Sequence, residues 1–137
     1  RGLTAFAAEL ARDFDVRATD ISLPASSLSG GNQQKIVIAR ALWRKPSLLV
    51  AVSPTRGLDV AATAYVHNKL RARAAEGGAT VLISTELDEV IALSTWIAVL
   101  YEGRIVGIVP PDMPRETLGL MMGGKFAPAI QRETDAP

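Results

Sequence analysis

Apolar positions recur along the chain with two spacings, and these spacings predict alternating helices and strands. Helices are predicted over four segments, 3–14, 33–45, 60–76 and 86–93. Strands are predicted over four short apolar runs, 47–52, 80–84, 96–101 and 104–109. The runs 47–52 and 80–84 have no polar alternation, so we expect both strands to be buried on both faces. Strands that alternate with helices favour a mixed α/β fold with a mostly parallel sheet.

Glycine and proline mark the ends of these elements. Pro46 ends the second helix, and Gly77-Gly78 end the third, whose apolar stripe is Ala62, Val66, Leu70 and Ala74. Glu102-Gly103 predicts a tight hairpin turn between the last two strands. Three prolines then precede a final short helix that ends at about Met122.

Length, charge and cysteine content exclude several classes of function. The chain has 137 residues, which is enough for one domain with a core of its own. A net charge of +1 provides no bulk attraction for nucleic acid or anionic lipid. There is no cysteine, and the only histidine is His67, so thiolate catalysis and Cys- or His-rich metal sites are excluded. No segment approaches the ~18 continuous apolar residues of a membrane-spanning helix.

The first residues carry neither an initiator methionine nor a signal-peptide pattern. The chain begins Arg1-Gly2-Leu3. We therefore expect a processed chain or a piece cut from a larger protein.

The segment 28–35, Leu-Ser-Gly-Gly-Asn-Gln-Gln-Lys, is the most informative stretch for function. Two glycines before a helix leave backbone N–H groups without intrahelical partners, and they allow a ligand to approach the backbone closely. The helix dipole adds positive potential there, so the segment predicts an anion site suited to phosphate. The simpler alternative is a flexible loop in which Ser29 caps the helix.

This octapeptide, followed by Ile-Val-Ile-Ala-Arg-Ala-Leu, resembles the signature motif of ABC-transporter ATPases. Further segments match that family in the expected order. Segment 47–59 resembles the Walker B strand and the D-loop, 80–89 the H-loop region, and 101–106 the hairpin that follows. The resemblance covers roughly residues 1–124. The Gly-Gly-Asn-Gln-Gln-Lys form is most similar to importers of simple sugars and nucleosides, which have two ATPase domains in one polypeptide.

The resemblance implies a partial P-loop NTPase fold of the RecA type. Its core has three layers with a mostly parallel sheet, a C-terminal antiparallel hairpin and part of a helical signature subdomain. We expect residues 1–45 to form part of the helical subdomain and residues 46–124 the C-terminal part of the ATPase core. Residues 125–137 are predicted to be a polar tail.

Three features of the family's own nucleotide site are missing or changed. The Walker A pattern Gly-x-x-x-x-Gly-Lys-Ser/Thr does not occur; segment 119–125 has its glycine and lysine spacing, but Phe126 follows. Val52 and Ser53 occupy the positions of the Walker B aspartate and glutamate. Thr85 occupies the position of the switch histidine. We therefore expect the chain's own site to be degenerate.

The intact signature belongs, in the family, to an ATP molecule held by the opposite ATPase domain. The resemblance implies that Ser29, Gly30, Gly31, Asn32 and Asp59 contact that shared ATP, while the partner site holds Mg²⁺. It implies no catalytic residue and no metal ligand in this chain, which alone is expected to be inactive. The parent is expected to hydrolyse ATP and to pair with a second ATPase domain, in the same polypeptide or in a dimer. Its further partners are transmembrane permease subunits at the inner face of the cell membrane, which places the chain in the cytoplasm.

Simpler interpretations stay open at several positions. Asp59 also fits an N-cap for the helix at Val60, and Thr85 with Asp88 fits a capping box. Two other functions fit the chain as a whole. One is an interaction or regulatory module that binds no nucleotide. The other is an ABC-type ATPase outside transport that acts on nucleic acid or ribosomes, which the net charge near zero disfavours.

Overall fold

A computed structural model describes residues 2–125. The described residues form two compact units, 2–83 and 84–125, which are described separately below. Apart from Lys125 itself, the predicted polar tail lies outside the described residues. Within residues 2–125, no helix has both the length and the apolar character needed to cross a membrane.

The first unit contains a parallel pair of strands joined by a helix. Its elements in chain order are α1 (Leu3–Asp13), a short 3₁₀ helix (Ala25–Ser27), α2 (Gly30–Leu42), β1 (Leu48–Val52), α3 (Val60–Ala75) and β2 (Ala79–Ile83). β1 and β2 pair in parallel, in a register that sets Leu48 opposite Ala79 and Val52 opposite Ile83. Parallel strands need a crossover connection, and α3 provides it. The mixed α/β fold class is confirmed.

Helix packing provides the core of the first unit. α3 contacts both α2 and β2, and α1 contacts α2. The buried apolar side chains are Ile38, Ala39, Leu42, Leu49, Ala51, Ala62, Val66 and Leu70. Most of the predicted stripe of α3 is therefore buried, whereas Ala74 is exposed.

The expectation that β1 is buried on both faces is wrong. Leu49 and Ala51 are buried, but Leu48, Val50 and Val52 are 55%, 57% and 64% exposed. β2 likewise exposes Val81 and Ile83. Side chains alternate across a strand, so a sheet that packs on one face presents every second side chain to solvent. One face of the β1–β2 pair is therefore an exposed aliphatic surface.

The second unit is built on an antiparallel hairpin. Its elements are α4 (Leu87–Leu93), β3 (Ile97–Tyr101), β4 (Arg104–Val109) and α5 (Arg115–Met122). β3 and β4 pair in antiparallel fashion, with an irregularity between Val99 and Leu100. Glu102 and Gly103 have φ values of +47° and +74°, the left-handed pair that a two-residue hairpin turn requires. The predicted hairpin is confirmed.

Among the described residues of the second unit, the buried apolar side chains form one cluster. Its buried members come from the hairpin and α5: Ile97, Val99, Val109, Leu118 and Met121. Leu118 and Met121 have no exposed surface. Side chains of α4 pack at the margin of this cluster.

The capping box proposed for α4 is wrong. α4 begins at Leu87 after Glu86, which makes no side-chain cap. The nearby hydrogen bond runs from the Glu86 N–H to Ser84 Oγ, at 3.0 Å. Asp88 instead forms an ion pair with Arg115 on α5. The local turn is therefore stabilised by Ser84, one residue earlier than the pattern indicates.

Candidate functional site

The glycine-rich segment forms the first turn of α2. Ser29 has an extended backbone and caps this helix, with Oγ accepting from the Asn32 N–H at 3.4 Å. α2 thus begins at Gly30, three residues before the predicted start, because the cap recruits both glycines into the helix. No acidic side chain lies in its first turn, so the positive end of the helix dipole is uncompensated there.

The two glycines of the segment have different surroundings. A Cβ atom at Gly31 would lie 3.3 Å from the Cβ atom of Ala62 on α3, whereas one at Gly30 would meet nothing within 4 Å. Internal packing therefore accounts for glycine at position 31 but not at position 30. The N–H groups of both residues donate no hydrogen bond to any group of residues 2–125. Two unpaired backbone donors, with open space beside Gly30, fit an anionic oxygen.

The Asn32 side chain is engaged inside the chain at both ends. Its Nδ2 donates to Ser29 Oγ at 3.1 Å. Its Oδ1 accepts from the backbone N–H of Arg17 at 2.9 Å. Ser29 itself is exposed, while Asn32 is half-buried behind it.

Asp59 lies at the start of the neighbouring helix. Its Oδ1 accepts from the Ala62 N–H at 2.8 Å, so the N-cap interpretation is confirmed. The contact between Gly31 and Ala62 brings this helix start against that of α2. Gln34 adds a second link, because its Nε2 donates to the carbonyl of Pro54 at 2.5 Å. All five predicted site residues therefore belong to one cluster at the starts of α2 and α3.

The end of β1 carries no group suited to magnesium. Val52 is its last residue, and Ser53 follows with a φ of +44°. The Ser53 N–H donates to the Ile83 carbonyl at 2.7 Å. Within residues 2–125 no three Asp, Glu, His or Cys side chains converge on a possible metal position. The residues present do not fit a resident Mg²⁺, and Thr85 lies exposed in the second unit.

A charged and aromatic cluster holds the end of α1 against α2 and α3. Lys35 Nζ contacts Asp15 Oδ2 at 2.5 Å and the Asp15 carbonyl at 2.8 Å. The Tyr65 hydroxyl donates to the carbonyl of Phe14 at 2.6 Å. The hydrogen bond and charge of Lys35 hold the pKa of Asp15 below its usual value. This cluster fixes the segment that carries the Arg17 N–H.

Tyr65 has a pKa raised to about 12, mainly by burial and then by the charge of Asp15. Because the folded-state pKa lies above the ordinary value near 10, this group stabilises the fold fully below pH ~10 and loses that effect as the pH rises towards 12. In a Tyr101→Phe variant, where Tyr65 is the only tyrosine, we expect phenolate absorbance to rise with a midpoint near 12. Circular dichroism at each pH reports whether the chain is folded. A midpoint near 10 in the folded chain would contradict the burial.

Three of these contacts carry no signal in the sequence. The partners are 15 residues apart for Arg17 and Asn32, 20 for Gln34 and Pro54, and 51 for Tyr65 and Phe14. In two of these contacts the acceptor is a backbone carbonyl, and in the third the donor is a backbone N–H. The side chain of that residue takes no part, so its residue type does not predict the contact. Gln34 and Tyr65 therefore support the site through internal hydrogen bonds that only the structure identifies.

Comparisons with known proteins match the segment of the chain that contains this site. The model of the ABC transporter family matches residues 4–56, which include the glycine-rich segment and β1. A nucleoside import ATP-binding protein, NupA of Lactococcus lactis subsp. cremoris, is 48% identical over 89% of this chain and 24% of its own length. The ribose import ATP-binding protein RbsA of Halalkalibacterium halodurans is 45% identical over 80% of this chain and 22% of its own length. The chain thus spans about a quarter of these relatives.

Solved structures share the fold. An ATP-binding subunit of an ABC transporter superposes with a TM-score of 0.68 at 24% identity, over 83% of this chain and 47% of its own. A dimeric ATP-binding cassette bound to ADP and Pi gives a TM-score of 0.65 at 22% identity, over 76% of this chain and 45% of its own. The chain belongs to the family of ABC-transporter ATPases. The resemblance drawn from the signature motif is confirmed.

Proposed function

We propose that this chain is part of the ATP-binding component of an importer for sugars or nucleosides, in which it presents its signature segment to ATP held by a second ATPase domain. The main support for this function is the geometry of the first turn of α2. Ser29 and the Gly30 and Gly31 N–H groups offer hydrogen-bond donors in a turn without acidic residues, and the space beside Gly30 is open. The naming of NupA and RbsA as nucleoside and ribose import proteins supports the solute class.

The signature segment and the end of β1 differ in the chemistry they offer, which supports an asymmetric role. The signature is intact, whereas Val52 and Ser53 at the end of β1 supply neither a magnesium ligand nor a base. Phosphate oxygens fit the donors of α2, and Mg²⁺ belongs to the partner's site. ATP supplies the free energy for transport, and the residues of this chain bind and orient its phosphates. Asp59, at the start of α3, is proposed to lie at the interface with the partner domain.

The proposed partners are a second ATPase domain, in the same polypeptide or as a dimer, and membrane-spanning permease subunits. The proposed location is the cytoplasmic face of the membrane. Within this arrangement residues 1–45 belong to the signature subdomain and residues 46–124 to the ATPase core. The parent protein hydrolyses ATP, and the activity depends on both domains.

Titration calorimetry of the 137-residue chain with Mg-ATP tests the half-site role. We expect no detectable binding, because a signature turn alone offers few donors and no Walker A lysine among these residues. Addition of the chain to the partner ATPase domain is expected to tighten the Mg-ATP binding of that domain, and the chain with Ser29→Arg serves as the control. Saturable micromolar binding by the chain alone would contradict the proposal and would make the chain a nucleotide-binding module in its own right.

A further inference from the structure

The hydrogen bonds around Ser29 determine the direction of its hydroxyl proton. A serine hydroxyl has two acceptor positions and one donor. Two donors of Asn32 point at Ser29 Oγ, the backbone N–H at 3.4 Å and the side-chain Nδ2 at 3.1 Å. With both acceptor positions occupied, the Ser29 O–H remains as a donor on the exposed side of the turn.

The orientation of the Asn32 amide is itself fixed. The Arg17 N–H can only donate, so the atom of Asn32 that faces it at 2.9 Å is the oxygen. The nitrogen must then face Ser29. Arg17 is held in place by its neighbours, since Asp15 binds Lys35 and the Phe14 carbonyl accepts from Tyr65. A directed series of hydrogen bonds thus runs from Arg17 through Asn32 to Ser29.

We propose that Asn32 is a positioning residue that sets the Ser29 hydroxyl as a hydrogen-bond donor towards a phosphate oxygen, and that it does not itself contact the nucleotide. This inference rests on the proposed function and refines it. Both polar ends of the Asn32 side chain are already engaged within the chain. The direct contact with ATP implied by the family resemblance is therefore replaced by an indirect role through Ser29.

A double-mutant cycle between Ser29 and Asn32 in the complete importer tests the proposal. We expect Ser29→Ala to lower kcat for ATP hydrolysis by roughly 10- to 100-fold, the effect of losing one hydrogen bond to a charged group. Asn32→Ala is expected to lower kcat by about tenfold with KM for ATP unchanged. In the Ser29→Ala background Asn32→Ala should add less than about twofold, because its effect passes through the missing hydroxyl. Additive losses would overturn the inference.

A second variant separates hydroxyl direction from support of the loop. Asn32→Asp keeps an oxygen for the Arg17 N–H but replaces the Nδ2 donor with an acceptor, which draws the Ser29 proton inward. We expect its kcat to fall as far as that of Ser29→Ala while its melting temperature stays within a few degrees of wild type. Wild-type activity in Asn32→Asp would overturn the inference. Asn68, the chain's other asparagine, is exposed on α3, and Asn68→Ala is the matched control.

The proposed function and the role of Asn32 can be excluded separately. If Ser29→Ala leaves ATP hydrolysis unchanged, the signature segment does not serve the shared nucleotide, and the proposed function falls together with the role of Asn32. If Ser29→Ala lowers kcat as expected but the losses in the cycle are additive, only the role of Asn32 falls.

Discussion

Ser29→Arg is expected to reduce ATP turnover by the complete importer by at least about 100-fold, the scale of losing a positioned donor at a reacting phosphate. The arginine removes the hydroxyl and places a long side chain in the open space beside Gly30, where a phosphate would lie. The lost helix cap costs only about 1 kcal/mol, so the chain should stay folded. ATP hydrolysis and solute uptake are measured together in reconstituted vesicles.

The control for this variant adds the same charge nearby. Ser26 is exposed in the short 3₁₀ helix that precedes the signature, so Ser26→Arg matches the substitution without touching the first turn of α2. We expect Ser26→Arg to retain close to wild-type turnover. Unchanged turnover in Ser29→Arg would exclude the proposed contact with nucleotide.

Leu118→Ala is expected to destabilise the second unit by about 2–5 kcal/mol. Leu118 has no exposed surface and lies among Ile97, Val99, Val109 and Met121, so truncation leaves a cavity that the hairpin cannot close. A loss of this size is a large part of the ~5–15 kcal/mol that stabilises an ordinary domain. The loss of stability is measured by urea denaturation, with hydrogen exchange of the amides of β3 and β4 as the local readout.

Leu120→Ala is the matched control for the core variant. Leu120 lies on the same helix, α5, but is 47% exposed. We expect its loss to stay within about 1 kcal/mol, the range of surface substitutions with little burial. Leu118→Met nearly conserves the side-chain volume and is expected to lower the stability by less than about 1.5 kcal/mol. This variant still tests the assigned core if Leu118→Ala does not fold. Equal losses for Leu118→Ala and Leu120→Ala would contradict the assigned core.

The elements of the fold were predictable because each has a local cause. Gly77 and the Glu102-Gly103 turn act through their own backbone preferences, and Asp59 caps the helix next to it. The second helix ends at Leu42, three residues before the end that Pro46 predicts. The burial of β1 was not predictable. A continuous apolar run does not reveal how many faces of a strand are covered, and here every second side chain is exposed.

The candidate site shows the same division. The signature motif is enough to predict Ser29, Gly30 and Gly31 as candidate phosphate-binding residues, because these residue types suit an anion site. The reason for each glycine is visible only in three dimensions, where Ala62 stands against one of them and not the other. The internal role of Asn32 depends on the Arg17 backbone, and no property of residue 17 predicts that contact.

The exposed aliphatic face of β1 and β2 affects how unfolding of this chain is detected. Hydrophobic dyes such as ANS bind exposed apolar surface, and their fluorescence is commonly taken to mark a molten globule. Val50, Val52 and Ile83 offer such a surface in the folded chain. Dye fluorescence is therefore a poor measure of lost packing here. Phe6 and Trp43 make an edge-to-face contact with ring centroids 5.2 Å apart. Because fixed aromatic packing gives a near-ultraviolet circular dichroism signal, that signal is the better measure of native packing in the first unit.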